Sequence, residues 1–433
     1  MTRLLPLFGR IRRGVGTVLV VGLLVCMMSG CNGSGGRANA LVEAERDSAG
    51  VRVVTLADVY QAALPEWRIE ERLTIGEATS SPEYELYEVE DATVLQDGSI
   101  AVANRGSAEV RIFHRNGQHR QTFGREGEGP GEFQRLSWLG RAGGDTLVAF
   151  DSDLRRATWF THTGELVRTL RIEPEVAEPA NATPFGVTAV EAVGIAREGL
   201  LVRVGYLRRS GEGEYRDRFT IALVDESGAF VDSLGWHAGG ELYFHRAPSG
   251  LTLATPPIFG RDTHVAAAAG RLVAGTTERF ELDVYDGTVL QMKVFASVDL
   301  SPVTQAEADA WLHDRLERMS ERSGPAAELA RLSIEGAPVR QTPPAFQRLL
   351  VDSERSIWVE EPYRRPNDSS RWIILGPDGT PRARVAFPLG GPTTPPTPPD
   401  LEIIEIGEDY ILALRRNEQE LEQLVMYALE RQS

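Results

Sequence analysis

A pair of short apolar strands joined by a tight glycine turn recurs along most of this sequence, and this repeat limits the folds that the chain can adopt. Five copies align, at 110–124, 157–171, 221–235, 281–295 and 372–387. Their turn glycines are Gly117, Gly164, Gly228, Gly287 and Gly379. A second strand pair precedes each copy, at 92–104, 137–151, 190–205, 264–277 and 346–361. Each unit therefore predicts a small sheet of four antiparallel strands in up-and-down order.

The two ends of the body together supply a sixth unit. Residues 401–429 contain three strands, and 67–76 is a single strand with the character of an outer one. Pairing these segments closes a ring and removes an open sheet edge. We therefore predict an all-β fold, a six-bladed β-propeller with four-stranded blades over residues 67–433, whose ring is closed by the N-terminal strand.

The largest gap between turn glycines contains a helical pattern. Thr304 and Glu307 form a capping box, and an apolar stripe at helical spacing follows it. The stripe consists of Ala308, Trp311, Leu312, Leu316 and Met319. The pattern predicts a small helical insertion at 301–340, before the fifth blade. A proline-rich stretch at 391–399 reads as an extended linker between the fifth and sixth blades.

The N-terminus carries an export signal. Residues 1–13 contain four arginines and no acid, and an almost wholly apolar run follows to residue 28. That run is too short to cross a membrane comfortably, since a spanning helix needs about 20 residues. The run ends in Met28-Ser29-Gly30-Cys31, which resembles the lipobox of bacterial lipoproteins. By this resemblance 1–30 is a lipoprotein signal peptide and Cys31 the lipidated first residue of the mature chain. An ordinary cleaved signal is the alternative.

We expect residues 31–66 to form a tether and N-terminal extension. The predicted location is outside the cytoplasm, with the chain lipid-anchored to the bacterial outer membrane and either periplasmic or surface-facing. The membrane is thus a predicted partner through Cys31.

Charge and cysteine content exclude several classes of function. The sequence has 46 Lys+Arg against 62 Asp+Glu, a formal net charge of −16, and removal of residues 1–30 with their four arginines brings it to −20. This charge opposes nucleic-acid binding. The only cysteines are Cys26 and Cys31. The folded body therefore has no disulfide, thiol nucleophile or cysteine metal site.

A glycine-rich connector carries a family resemblance. The segment FGREGEGPGEFQRLSWLG at 123–140 resembles the connector of NHL-repeat proteins, with Gly127, Gly129, Gly131 and Phe133 in matching places. The repeat is similar to this group of six-bladed propellers over roughly 67–433, although Glu109 stands where that group often has arginine. The group contains enzymes and interaction modules, so the resemblance implies no single activity.

The long connections concentrate on one face of the predicted propeller. They lie at 206–218, 236–257, 301–344 and 362–370. Because binding residues favour loops on a rigid scaffold, we predict a binding face there. Its candidate residues are Arg105, Arg156, Arg208, Arg209, Tyr206, Trp236, Tyr363, Arg364, Arg365 and Arg415. Arginine forks beside aromatic rings suit a carboxylate, a sulfate, a sugar acid or an acidic partner loop. The alternative is that these arginines pair with neighbouring acids.

Catalytic motifs are weak in this sequence. His237, Glu241 and His245 have the spacing of a helical metal site, but Gly239 and Gly240 oppose a helix, so we predict a loop with ordinary, partly buried histidines. No metal site or cofactor is predicted, and calcium has no supporting motif.

The sequence therefore favours a scaffold that binds a ligand or a protein through the long-loop face. An envelope protein and an anionic or saccharide ligand are the candidate partners. The alternative is a propeller enzyme, a metal-dependent hydrolase, lactonase or lyase, with its site at the central channel.

Overall fold

The structure is a computed structural model that describes residues 41–76, 81–173, 189–206, 212–246, 250–320, 324–365, 369–387, 401–416 and 421–432. Three predicted functional residues, Cys31, Arg208 and Arg209, lie outside the described residues, as does the proline-rich stretch at 391–399.

The described chain is mostly β-structure. Its first strands are β1 (Val42–Ser48), β2 (Val51–Leu56), β3 (Arg68–Ile75), β4 (Val89–Val94), β5 (Ile100–Asn104), β6 (Glu109–Phe113), β7 (His119–Phe123), β8 (Leu136–Ala142), β9 (Thr146–Asp151), β10 (Arg156–Phe160), β11 (Leu166–Arg171), β12 (Ala189–Ala196), β13 (Gly199–Tyr206) and β14 (Gly213–Val224). The strands that follow are β15 (Phe230–Arg246), β16 (Thr252–Thr255), β17 (Thr263–Ala268), β18 (Arg271–Thr276), β19 (Glu281–Asp286), β20 (Val289–Ala296), β21 (Leu349–Val351), β22 (Ile357–Glu360), β23 (Arg371–Leu375), β24 (Pro381–Ala386), β25 (Leu401–Ile406), β26 (Tyr410–Arg416) and β27 (Glu422–Glu430). Two helices, α1 (Gln305–Ser320) and α2 (Pro325–Glu335), lie between β20 and β21.

Within the described ranges, these strands form six sheets, most of them four-stranded. Sheet 1 is β4 to β7, sheet 2 is β8 to β11 and sheet 5 is β21 to β24, each in chain order. Sheet 6 has the order β25-β26-β27-β3, so the N-terminal strand β3 pairs antiparallel with the C-terminal strand β27. Sheet 3 holds β12 to β16, and sheet 4 has the order β1-β2-β20-β19-β18-β17.

Apolar side chains pack between neighbouring sheets. The core separates into large buried clusters, each shared by two consecutive sheets. A further cluster joins sheet 6 to sheet 1, where Leu412 and Leu424 pack with Val102 and Phe113. Each sheet is therefore covered on both faces, which explains why central strands such as β5 are buried throughout.

The prediction of two long loops in sheet 3 is wrong. The connections at 206–218 and 236–257 fold largely into β14, β15 and β16, so sheet 3 has five strands where four were predicted. The predicted loop around His237 and His245 is part of β15. The physical reason is continued pairing, since Gly213 to Arg216 of β14 lie opposite Phe244 to Glu241 of β15 and satisfy the backbone groups that a loop would leave exposed.

The N-terminal extension also contributes strands. β2 pairs in parallel with β20, and β1 pairs antiparallel with β2, so sheet 4 gains two strands at its outer edge. The buried side chains of Val54 and Leu56 join the core between sheets 4 and 5.

Helix α1 begins with the predicted capping box. Glu307 Oε2 accepts a hydrogen bond from the Thr304 amide at 2.8 Å, and the Glu307 amide donates to Thr304 Oγ1 at 3.3 Å.

Replacing Thr304 with alanine should therefore lower the free energy of unfolding by about 1 kcal/mol, because an amide at the helix start loses its partner. Urea unfolding followed by circular dichroism measures this change. The Thr169→Ala variant, on the exposed side of β11, is the matched control and should stay within about 0.5 kcal/mol of wild type. An equal effect in both variants would contradict a stabilising cap.

Candidate functional site

A cavity of about 530 Å³ opens at one end of sheets 3 to 6. Many of its wall residues lie near the start of one edge strand of a sheet or near the end of the strand that follows it. Antiparallel pairing places these two positions side by side, as with Thr263 of β17 and Thr276 of β18. We call this end of the sheets the cavity end. The residues of the wall used below are Arg203, Asp217, Glu241, Phe259, Arg261, Asp262, His264, Trp311, Arg348, Glu360, Tyr363 and Glu402.

A fully buried carboxylate anchors one side of the cavity. Glu360 accepts hydrogen bonds from Arg348, with Nε at 2.5 Å and Nη2 at 3.1 Å, and from Ser370 Oγ at 2.6 Å. The Tyr363 hydroxyl also donates to it. Burial raises the pKa of Tyr363, so the phenol stays protonated and remains a donor. The carboxylate is thus fully paired and holds the guanidinium in one orientation.

Arg348 presents unused hydrogen-bonding capacity to this cavity. Its side chain is 31% exposed, and its guanidinium lies 5.3 Å from the Trp372 ring centroid. Among the described residues, Arg348 Nη1 has no hydrogen-bond partner, because Glu360 occupies only Nε and Nη2. The fixed guanidinium is therefore a preoriented donor for a molecule in the cavity.

The loop at 256–262 contributes apolar side chains, among them Phe259, to the cavity wall. Its backbone is fixed by two hydrogen bonds, from the Ile258 amide to Pro338 O at 2.8 Å and from the Arg340 amide to Ile258 O at 2.9 Å. Phe259 adopts a φ of 59°, a conformation that is costly for a bulky side chain and that the fixed loop imposes. Its partly buried ring meets Trp311 edge-on, with centroids 5.9 Å apart. The phenyl ring is thereby held as part of the cavity wall.

Titratable groups also line this cavity. Burial raises the pKa of Glu402 and Asp217, and burial lowers the pKa of His264. Glu402 of β25 lines the cavity. Three arginines and five acidic side chains line this cavity, and its wall therefore offers both donors and acceptors.

A second cavity of about 480 Å³ is lined by one edge strand from each of the six sheets, β4, β8, β12, β17, β21 and β25. Asp91 of β4 lies in its wall and accepts a hydrogen bond from the Leu139 amide at 3.1 Å. Burial raises the pKa of Asp91 to about 8, and Glu405 and Glu402 add to this shift.

This shift predicts a pH dependence of stability. Folded Asp91 keeps its proton up to about pH 8, whereas in the unfolded chain it ionises near its ordinary pKa of 3.8. Because the native state binds more protons in this window, the stabilisation due to Asp91 is complete below about pH 4 and is lost as the pH rises to about 8.

Asp91→Asn should therefore make the free energy of unfolding fall less between about pH 4 and 8 than in wild type. Chemical unfolding at several pH values measures the difference. Parallel curves for the two proteins would show that Asp91 does not titrate in this range.

The structure places most of the sequence-predicted face residues in contacts with other parts of the chain. Arg105 pairs with Glu90 at 2.7 Å, Arg364 with Glu307 at 2.8 Å and Arg415 with Glu71 at 2.8 Å. Arg156 donates to the backbone carbonyls of Glu128 and Glu132. The Tyr206 and Trp236 rings contact each other, with centroids 5.0 Å apart, and Arg365 is exposed. Of the predicted set, Tyr363 lines the larger cavity.

Sequence reasoning missed the other residues of the cavity wall. Arg203, Phe259, His264, Arg348 and Glu402 come from separate sheets or connections, and no local motif links them. The available signal was positional, because most of them lie near the start of an edge strand or near the end of the strand that follows it.

The described part of the chain also bears on metal binding and on membrane spanning. There, no three His, Cys, Asp or Glu side chains form a group that could hold a metal ion. No helix in the same ranges is long and apolar enough to span a membrane.

Comparisons with known proteins give structural neighbours only. No protein-family model and no curated protein matches the sequence. A protein of Bacteroides fragilis described as exported is similar at 11% identity, over 88% of this chain and 100% of its own, with a TM-score of 0.46. A DUF4221 family member from Bacteroides vulgatus is similar at 12% identity, over 85% of this chain and 99% of its own, with a TM-score of 0.44. The calcium-binding protein regucalcin from Agrobacterium tumefaciens is similar at 11% identity, over 85% of this chain and 97% of its own, with a TM-score of 0.32. Because all three TM-scores are below 0.5, these similarities assign no function to this chain.

Proposed function

We propose that this chain is an exported, lipid-anchored six-bladed β-propeller that binds a saccharide in the cavity at the end of sheets 3 to 6.

Three observations support the propeller. The sheets follow one another along the chain, apolar clusters join each consecutive pair and also sheet 6 to sheet 1, and one cavity is lined by an edge strand from each of the six. Pairing of β3 with β27 would close such a ring. The connector at 123–140 supports placing the chain near the NHL-repeat group, since Gly131 has a φ of 78° and Phe133 is fully buried.

Export and anchoring are supported by the N-terminal sequence. The four arginines, the apolar run and Met28-Ser29-Gly30-Cys31 together resemble a lipoprotein signal. We propose Cys31 as the lipid attachment site and the outer membrane as the location.

The larger cavity is lined by arginines, acidic side chains and apolar side chains, and this combination supports a saccharide as the ligand. A compact anion would meet five acidic side chains beside three arginines, which opposes the simple anion suggested by sequence. Sugar hydroxyls donate and accept hydrogen bonds, so they can use Arg348 Nη1 as well as the carboxyl groups of Asp262 and Glu402. The apolar face of a sugar ring can pack on Phe259. A cavity of about 530 Å³ has the size of ordinary small-ligand sites.

A thermal-shift screen of the mature chain, residues 32–433, tests this proposal with a panel of neutral and acidic mono- to tetrasaccharides. We expect at least one sugar to raise the melting temperature in a concentration-dependent way, because a ligand that binds only the native state stabilises it. No shift up to about 10 mM, a range that reveals millimolar affinity, would contradict saccharide binding.

A second candidate is an acid–base enzyme acting on the same saccharide. Its supporting observation is that Glu402, with a raised pKa, and His264, with a lowered pKa, share one cavity. A protonated carboxyl group can donate a proton and a neutral imidazole can accept one. Product formation from the bound sugar would favour this candidate, and Glu402→Gln would then abolish turnover while leaving binding measurable.

A further inference from the structure

The pairing within sheet 4 fixes the end at which the N-terminal segment enters the folded body. Val42 lies opposite Leu56, and Leu56 lies opposite Ala296 at the end of β20. The neighbouring Phe295 pairs with Glu281, which pairs with Thr276. Thr276 in turn pairs with Thr263, beside Asp262 and Thr277 of the cavity wall. The start of β1 therefore lies at the cavity end of its sheet.

The other end of this sheet is distant from that entry point. β1 runs away from the cavity end over seven residues, and β2 returns after the turn between Ser48 and Val51. At about 3.4 Å per residue, β1 spans about 24 Å. A segment attached to β1 thus begins on the cavity side and would have to pass along the whole sheet to reach the opposite end.

The length of chain before β1 limits how far the body can turn. Nine residues, 32–40, lie between Cys31 and Leu41, whose carbonyl oxygen accepts a hydrogen bond from the Ala57 amide at 2.9 Å. The ten residue steps from Cys31 to Leu41 reach at most about 33 to 36 Å when fully extended, and about 16 to 19 Å as a flexible coil. Turning the opposite end toward the anchor would use most of that maximum reach.

We propose that the cavity end faces the lipid bilayer that holds the anchor, so that the cavity opens toward the membrane surface. This orientation rests on the lipid anchor of the proposed function. It goes beyond that function by assigning the bilayer as the surface that the cavity end meets.

The absence of cysteine from residues 32–433 allows a clean test with single labels. Leu251, 52% exposed, follows the extension of β15 past the cavity, so Leu251→Cys places a fluorophore at the cavity end. Ala229, in the turn between β14 and β15, is exposed at the opposite end of the same sheet, and Ala229→Cys is the matched control. Vesicles that carry a headgroup-linked quencher report which label lies nearer the bilayer.

Two preparations separate the outcomes. The first is the natively lipidated chain, for which vesicle binding that is lost in Cys31→Ser supports the anchor; failure to bind counts against the anchor and thereby against the proposed function. The second replaces Cys31 with serine behind a six-histidine segment and binds vesicles that contain a nickel-chelating lipid, which holds the same tether whether or not the native chain is lipidated.

In the second preparation, we expect quenching at position 251 to exceed quenching at position 229 by about twofold or more, because the labels lie at opposite ends of one sheet. Equal quenching, or stronger quenching at 229, would overturn the proposed orientation and leave the saccharide proposal untouched.

Discussion

Replacing Arg348 with alanine should lower the free energy of unfolding by about 3 to 5 kcal/mol. Its partner Glu360 is fully buried and would keep only neutral donors, from Tyr363 and Ser370. A buried carboxylate that loses its countercharge is strongly destabilising because the cost of its desolvation is no longer offset by an opposite charge. Urea unfolding of the mature chain measures the change.

A double-mutant cycle separates the ion pair from the packing around it. Glu360→Gln keeps the shape of the side chain, and the combined variant with Arg348→Met removes both charges. With the single variants Glu360→Gln and Arg348→Met closing the cycle, we expect the double variant to be more stable than Arg348→Met alone, because it leaves no uncompensated charge in the core. A cost below about 1 kcal/mol for Arg348→Ala, the range of an exposed pair, would show that this pair does not behave as a buried one.

Replacing Phe259 with alanine should weaken saccharide binding by about tenfold or more, since a factor of ten corresponds to about 1.4 kcal/mol. The ring lies in the wall of the same cavity as Arg348 and is held there by the fixed loop and by Trp311. Losing a packed aromatic face removes contact area that the ligand cannot regain elsewhere. Titration calorimetry with the sugar found in the screen measures the change.

The matched control is Phe230→Ala. Phe230 is 39% exposed at the start of β15, at the opposite end of sheet 3. This substitution should leave the affinity unchanged. An equal loss in both variants would point to a general loss of structure, and unchanged affinity in Phe259→Ala would place the sugar outside the cavity.

Local patterns predicted the sheets because strand alternation and glycine turns are properties of neighbouring residues. The turn at Gly117, with a φ of 81°, lies between β6 and β7, where the sequence placed it. The position of β2 was not predictable in the same way, since its partner β20 lies more than two hundred residues away and parallel pairing leaves no local turn signal. The extended hairpin of β14 and β15 was missed because its glycines suggested a loop.

The residues of the larger cavity were likewise predictable from the sequence only in part. Tyr363 of the sequence-predicted face lies in the wall of this cavity. Arg105 and Arg415 of that face pair with nearby acids, which is the alternative that the sequence left open. Arg348 was not among the predicted residues. Its orientation as a donor depends on Glu360 of β22, which accepts hydrogen bonds from two of the Arg348 nitrogens and comes close to Arg348 only in the folded chain.

A crystal structure of the mature chain with the sugar from the screen tests saccharide binding most directly. We predict a sugar hydroxyl within about 3 Å of Arg348 Nη1, with an apolar face of the ring against Phe259. Density for the sugar outside this cavity, with the cavity wall untouched, would contradict the proposed function.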